Sequence, residues 1–473
     1  MKNKIVFGTG GWRAVIGDDF VKENINRVAA GMLKLMKEEN KLDKPVIIGF
    51  DRRFISETAA KWVAEVLAQG GVKVWFLNRS APTPFVMHTV LKEQLHYGIE
   101  ITASHNPSNY NGIKLIIEEG RDADIETTNK LEKYIDEIDY VESMDFDEAL
   151  EKELITYLKN PFNNFIDDIL GQLDLEKIKQ RGLRVLFDPM HGSGAYPLTA
   201  ILYSARLTVD TQNTDKDAYF GGMMPAPTKK TLELLAENVI NGKYDLGIAL
   251  DGDGDRLGII DSNGKYIDAN EILCMLYYYL VKYKGWKGPV VRNIATTHML
   301  DKIAESFGEK CYEVPVGFKH ISSKIDEVDA VLGGESSGGL TVRGHIHGKD
   351  SVYASSLFVE MISVIDKTPT ELMEELRQTY GNYVMVEENL RFKIEEKDRI
   401  KDILFNKKEL PEFSTNIKRV SYEDGCKVYF EDDSFVICRF SGTEPLLRIF
   451  AENNTKEKAF KYIEAFKNFL NIK

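Results

Sequence analysis

Cysteine is scarce: Cys274, Cys311, Cys426 and Cys438 are the only four in 473 residues. They form no CxxC and no paired metal spacing, which excludes a disulfide scaffold and a zinc site and fits a reducing compartment. Long apolar runs are missing as well. The longest obvious one, Ile272 to Val281, is too short to span a bilayer and predicts a buried helix. Met1 to Lys4 leads straight into the strand-like Ile5-Val-Phe7, which leaves no room for a signal peptide and sets the expectation of a cytoplasmic protein. Positive charge is in deficit, 61 Lys and Arg against 74 Asp and Glu, net −13. That balance argues against nucleic-acid or membrane partners, so an anionic ligand would need locally clustered cations.

What is present is an ordinary globular composition, 43% apolar and 29% charged, in a chain too long for one core. Helical periodicity from Asn24 to Lys37 and Glu57 to Gln69 alternates with apolar runs at Pro45 to Phe50 and Val72 to Leu77, the pattern of a layered α/β domain. Boundaries are expected near 145, 257 and 375, giving segments 1–145, 146–257, 258–375 and 376–473, the last an α+β module. The acidic stretch from Glu118 to Glu153 predicts solvent-facing helix. Asp51-Arg-Arg53, Ala81-Pro-Thr-Pro84 and Pro189 to Ala195 are turns, each more often architecture than chemistry.

Four stretches carry chemistry. Thr102-Ala-Ser-His-Asn-Pro-Ser-Asn-Tyr-Asn-Gly-Ile-Lys114 lies between two apolar runs, its Asn-Pro and Asn-Gly steps predicting a tight, fixed loop that holds the Ser104 hydroxyl. Alone, such a serine is no more than a cap or a turn. Asp251-Gly-Asp-Gly-Asp-Arg256 alternates three carboxylates with glycines, which lets the acids converge on one hard cation such as Mg²⁺. An EF-hand is excluded: its sixth and twelfth positions require Gly and Glu, and here they are Arg256 and Ser262. Gly333-Gly-Glu-Ser-Ser-Gly-Gly339 offers a carboxylate and hydroxyls to a polyol, and Leu340 after the last glycine rules out a Walker loop. Arg439-Phe-Ser-Gly-Thr-Glu-Pro445 is either a turn between strands or a cradle for a phosphate dianion.

Together with Phe7-Gly-Thr-Gly-Gly-Trp-Arg13, these motifs, in this order and over nearly the full length, resemble the α-D-phosphohexomutase family, phosphoglucomutase/phosphomannomutase branch. The resemblance implies three similar layered α/β domains with mixed sheets plus a C-terminal α+β domain, with the active site in the central cleft. It implies that Ser104 is phosphorylated and exchanges phosphate with a hexose phosphate through a hexose 1,6-bisphosphate. Asp251, Asp253 and Asp255, with a phosphate oxygen on Ser104, would hold Mg²⁺. Arg13, His105, Lys114 and Arg256 would surround the transferring group, Lys114 acting as base and acid with its pKa lowered by neighbouring cations. Glu335 and Ser337 match the sugar loop, Lys319 joins them, and Arg439, Ser441, Gly442 and Thr443 match the site of the phosphate that does not react. The chain departs from the frequent family pattern at Lys349-Asp-Ser351, where glycine often follows the aspartate; His345 and Asp350 are therefore left without a role.

The expected substrates are glucose 1- and 6-phosphate and the mannose phosphates, turned over by a monomer or homodimer. The alternatives are the same chemistry on a pentose or amino-sugar phosphate, or a sugar-phosphate binding protein without catalysis.

Overall fold

A computed structural model describes residues 4–8, 10–440 and 446–472. The chain forms two compact units, Met1–Ala269 with Ser337–Thr370, and Asn270–Ser336 with Glu371–Lys473.

The first unit opens with a mixed sheet ordered Trp12–Val15, Tyr110–Ile117, Tyr97–Ile101, Val46–Phe50, Val74–Phe76 and Ile155–Tyr157. Val46–Phe50 runs parallel to both its neighbours, while Tyr97–Ile101 and Tyr110–Ile117 form an antiparallel pair. All five residues of Val46–Phe50 are buried, as expected of a strand covered on both faces rather than one with alternating exposure. The helix Lys22–Glu38 presents Ile25, Val28, Ala29, Met32, Leu35 and Met36 at three- and four-residue spacing, and all are buried. A second sheet runs Tyr266–Ile267, Leu257–Asp261, Leu246–Leu250, Arg184–Asp188, Thr208–Thr211, parallel at its centre and closed by a hairpin around Asn263-Gly264.

Two loops of this unit leave the carboxyl ends of parallel-paired strands: the serine loop after Tyr97–Ile101 and the aspartate loop after Leu246–Leu250. In α/β sheets this end is where ligands bind, because the helices and turns that follow converge there.

The second unit holds the parallel strands Cys311–Val314, Val290–Asn293 and Leu332–Gly334. Helices Met299–Ser306 and Phe318–Val328 accompany them. It ends in a five-stranded antiparallel sheet, Val384–Arg391, Leu446–Asn453, Phe435–Phe440, Cys426–Phe430, Ile417–Ser421. The helix Lys456–Leu470 packs Ala459, Ile463 and Phe466 on Val428, Val436 and Ile449 of that sheet. The predicted fold class is thus seen in the strand order.

One expectation needs correction. Glu118 to Glu153 is not helical throughout: it contains a short strand, Arg121–Asp122, and the helices Ile125–Asp136 and Phe146–Glu151, with no helix across 137–145. Asp124 and Asp145 cap the two helices by accepting backbone N–H bonds, and such aspartates restart a helix after a break rather than continue one. The run from Ile272 to Val281 is a buried helical segment of Ala269–Lys282. Among the described residues no helix is long and apolar enough to cross a membrane.

Candidate active site

Ser104 is fully buried and its backbone is left-handed, φ 52°. A non-glycine residue holds that conformation only where its surroundings impose it. Here Thr102 Oγ1 accepts the Ser104 N–H at 2.8 Å and itself donates to Asp51 Oδ2 at 2.7 Å. Arg53 does the rest: its guanidinium donates to the carbonyls of Ser104 (2.6 Å), Asn106 (2.7 Å), Pro107 (2.7 Å) and Tyr110 (3.1 Å) and to Asp51 Oδ2 (3.1 Å). Four carbonyls converging on one buried cation fix the loop.

The hydroxyl so presented donates to Asp251 Oδ2 at 3.1 Å and lies 3.2 Å from His105 Nδ1. Burial first, then Arg256 and Arg13, hold His105 far below the usual imidazole range, so its ring is neutral. Arg13 donates to Asn106 Oδ1 at 2.6 Å. Gly10 permits that placement: a Cβ there would meet the Arg13 guanidinium at 2.6 Å.

The aspartate loop packs against the serine loop from the other side. A Cβ on Gly252 would meet the Ser104 carbonyl oxygen at 2.7 Å, so only glycine allows the two loops to approach. Asp251 Oδ1 accepts the N–H groups of Asp255 and Arg256, folding the loop inward, and Ser193 donates to the Gly252 carbonyl. Asp251, Asp253 and Asp255 are all buried, with carboxylate oxygens within 4.8 Å of one another. At that spacing two ionised carboxylates would repel by about 3.5 kcal/mol at an effective dielectric of about 20.

Part of that repulsion is offset by lysines. Lys114 Nζ lies 2.6 Å from Asp253 Oδ2 and 3.0 Å from Asp255 Oδ2, and Lys349 Nζ lies 2.8 Å from Asp255 Oδ2. Asp253 Oδ1 and Asp255 Oδ1 are buried without a hydrogen-bond partner among the described residues. Orphaned carboxylate oxygens beside a third carboxylate are a donor set suited to a hard cation of the Mg²⁺ type, which takes oxygen ligands.

The expected lowering of the Lys114 pKa is not seen. Burial does oppose its charge, but Asp253 and Asp255 outweigh it and raise the pKa, because both acids are in direct contact and Arg13 is a weaker opposing influence. Arg256 sits with Nε 3.9 Å from Asp255 Oδ1. Ser337 falls in this unit too, next to Gly338, whose carbonyl accepts the Leu257 N–H at 3.4 Å.

A separate group lies in the second unit. Glu335 Oε1 accepts from Asn293 Nδ2 and from the Gly317 N–H, both at 3.1 Å. Lys319 is the second residue of the helix Phe318–Val328 that this loop starts. Arg439 donates from Nη2 to Asp424 Oδ1 at 2.8 Å. Ser441, Gly442 and Thr443 lie outside the described residues.

Sequence reasoning missed several participants. Arg53 and Thr83 lie in stretches whose local signal is only that of a turn, yet Thr83 Oγ1 donates to Asp253 Oδ2 at 2.6 Å and its N–H to the Asp253 carbonyl at 2.9 Å. Lys349 carries no local signal of its own beside His345 and Asp350, which pair with each other. His345 Nε2 pairs with Asp350 Oδ2 at 2.6 Å, and Asp350 caps the helix Ser351–Ile365. The Ser351 N–H reaches the Gly254 carbonyl at 3.2 Å, so the segment that departs from the family pattern still braces the aspartate loop.

Three family models match the chain, the phosphoglucomutase/phosphomannomutase alpha/beta/alpha domains I, II and III, over residues 4–142, 163–264 and 268–380. The chain is 31% identical over 463 residues to the "Phosphoglucomutase/phosphomannomutase" of Thermococcus kodakarensis, covering 97% of each chain. It is 30% identical to the "Probable phosphoglucosamine mutase" of Methanosphaera stadtmanae, covering 98% of each. Among solved structures, the "putative phosphomannomutase" of Thermus thermophilus aligns over 100% of both chains with a TM-score of 0.86 at 26% identity. A buried serine bonded to an aspartate triad whose acids pair with lysines, on this fold and with this full-length similarity, has one reading: the chain belongs to the phosphoglucomutase/phosphomannomutase family of α-D-phosphohexomutases.

Proposed function

We propose that this enzyme interconverts α-D-glucose 1-phosphate and glucose 6-phosphate, and the corresponding mannose phosphates, through a phosphorylated Ser104 and a hexose 1,6-bisphosphate. The observation that carries the reading is Ser104 itself: a buried hydroxyl in strained backbone, 3.1 Å from Asp251 and 3.2 Å from a neutral His105. Phosphoryl transfer asks chiefly for positioning and for neutralised charge. Arg53 and Thr102 supply the first, and Arg13, Arg256, Lys114 and Lys349 supply the second.

Mg²⁺, held by Asp251, Asp253, Asp255 and a phosphate oxygen on Ser104, would supply further neutralisation of the transferring group. Lys114 carries the mobile proton at Nζ. It gives that proton to the sugar oxygen that departs when Ser104 regains a phosphate and, left neutral by that transfer, takes one from the sugar hydroxyl that next attacks phosphoserine; the Ser104 hydroxyl passes its own proton to Asp251, to which it donates, and recovers it when it departs. The carboxylates at 2.6 and 3.0 Å bias it toward the charged, donating form. Glu335 would orient sugar hydroxyls, and Arg439 would bind the phosphate that stays in place.

An amino-sugar phosphate is the second reading, favoured by the full-length similarity to a protein named as a phosphoglucosamine mutase. Both readings are tested by assaying purified protein on glucose, mannose and glucosamine 1-phosphates with Mg²⁺ and the matching bisphosphate. Turnover of glucose or mannose 1-phosphate is expected; turnover of glucosamine 1-phosphate alone selects the second reading, and none on any sugar rejects both.

A further inference from the structure

Asp424 joins two parts of the second unit that the sequence separates by more than a hundred residues. One carboxylate oxygen, Oδ1, accepts from Arg439 Nη2 at 2.8 Å, and the other, Oδ2, accepts the Val316 N–H at 2.7 Å. The next amide along, that of Gly317, donates to Glu335 Oε1 at 3.1 Å, and Asn293 Nδ2 holds the same Glu335 oxygen. Consecutive amides of one peptide segment therefore bind the carboxylate that grips Arg439 and the carboxylate assigned above to the sugar. The result is a continuous hydrogen-bonded line from Arg439 through Asp424, Val316 and Gly317 to Glu335.

Local structure is shaped for this line. Asp424 lies in the turn between Ile417–Ser421 and Cys426–Phe430. Gly425 after it has φ 96°, and a Cβ there would meet the Cys438 carbonyl at 2.5 Å and Arg439 Cγ at 2.6 Å. Only glycine brings the Asp424 turn this close to Arg439. Val316 packs its side chain against the cluster of Ile294, Phe435 and Ile437, which anchors the loop to the strand that carries Arg439. Asp424 engages Arg439 through Nη2 alone; Arg439 Nε is buried without a partner among the described residues. Held among the described residues at Nη2 only, the guanidinium has further N–H groups to offer a phosphate.

We propose that Asp424 is a positioning residue: it fixes the Arg439 guanidinium at a set distance from Glu335, so that the phosphate cation and the sugar acceptor meet one substrate in register. The inference rests on the reading of Arg439 as the ligand of the non-reacting phosphate. Asp424 itself touches no reacting atom, and its carboxylate acts only through Arg439 and the Val316–Gly317 peptide.

The test is a double-mutant cycle in steady-state kinetics on glucose 1-phosphate. Asp424→Asn keeps an acceptor for the Val316 amide but loses the ion pair, and it should raise KM about tenfold with kcat within about twofold. In the Arg439→Ala background the same substitution should change KM by less than about twofold, because there is no guanidinium left to place. Asp424→Ala, which also frees the Val316 amide, should raise KM further than Asn does. Ser104 phosphorylation, read by intact mass, should survive in every variant. Effects that add in full, or an Asp424→Asn enzyme with wild-type KM while Arg439→Ala is impaired, overturn the positioning role alone. A wild-type KM for Arg439→Ala overturns the phosphate cradle, and the inference with it. Thermal melts of Asp424→Asn matching wild type separate a kinetic defect from a folding one.

Discussion

Lys114 Nζ and Asp253 Oδ2 lie 2.6 Å apart, both side chains withdrawn from solvent, with Thr83 Oγ1 donating to the same carboxylate oxygen. The pair is shared by two proposed duties, since the carboxylate that stabilises the lysine charge also belongs to the trio proposed to hold Mg²⁺. Asp253→Asn should therefore weaken Mg²⁺ binding and also cost stability, as a buried cation loses one of its two partners. Saturating Mg²⁺ at about 100 times its Kd should stabilise the wild type by about 2.7 kcal/mol, and Asp253→Asn should lose most of that gain. Chelator-treated enzyme should be inactive and recover on adding Mg²⁺. Equal thermal shifts for the two proteins, or full activity in excess chelator, would contradict the assignment.

Ser104→Ala removes the proposed nucleophile and one hydrogen bond to Asp251. Turnover should fall by at least about a thousandfold, while the melting temperature moves little, because Arg53 still holds the loop carbonyls. Intact mass should show one phosphate on the wild type and none on the variant. Phosphate retained on the variant would place the acceptor elsewhere.

Arg439→Ala should raise KM for glucose 1-phosphate about tenfold or more, a charge-assisted hydrogen bond to phosphate being worth roughly 1.5–3 kcal/mol. A parallel fall in kcat would show that the contact also orients the sugar for attack. Ser104 should still carry phosphate, since its loop belongs to the other unit.

Glu100 makes a prediction about pH. It is fully buried, neither carboxyl oxygen has a hydrogen-bond partner among the described residues, and it stands opposite Lys114 in the strand register. Burial first, then Asp51 and Asp253, raise its pKa well above the usual carboxylate range despite Lys114. A raised acid binds its proton more tightly when folded than unfolded. It favours folding fully below the ordinary glutamate value, and that contribution is lost as pH climbs toward the folded pKa. Glu100→Gln keeps the shape and removes the titration, so its melting temperature should gain on the wild type from about pH 5 upward. The relative slope should be at most about 1.4 kcal/mol per pH unit. Parallel melting curves across that range would mean that Glu100 is ionised in the fold.

How much of this was legible beforehand follows from what sequence can encode. The strand-loop-strand around Ser104 and the aspartate loop were readable because glycine, proline and asparagine mark turns by local rules. Helices such as Lys22–Glu38 were readable from apolar spacing. Arg53 was not, because its five acceptors are spread from Asp51 to Tyr110 and only the fold gathers them. The charge state of Lys114 is not legible for a related reason: spacing names its neighbours but not their distances, and Asp253 and Asp255 are in direct contact with it while Arg13 opposes them only weakly. Asp424 gave no signal beyond an Asp-Gly turn, and its two partners, Val316 and Arg439, flank it at very different separations.

Gly252 sits with its α-carbon against the Ser104 carbonyl, too close for any side chain between them. The serine loop is thus moulded on a segment synthesised 147 residues later, the separation between Ser104 and Asp251. At ribosomal speeds of about 5–20 residues per second the nascent protein spends roughly 7–30 s with its serine loop made and the mould still missing. During that interval the hydroxyl lacks Asp251, the Thr83 amide lacks the Asp253 carbonyl, and Lys114 lacks both its acids. An N-terminal fragment ending before the aspartate loop would accordingly be inert toward sugar phosphates, and activity would switch on only with the emergence of the later segment.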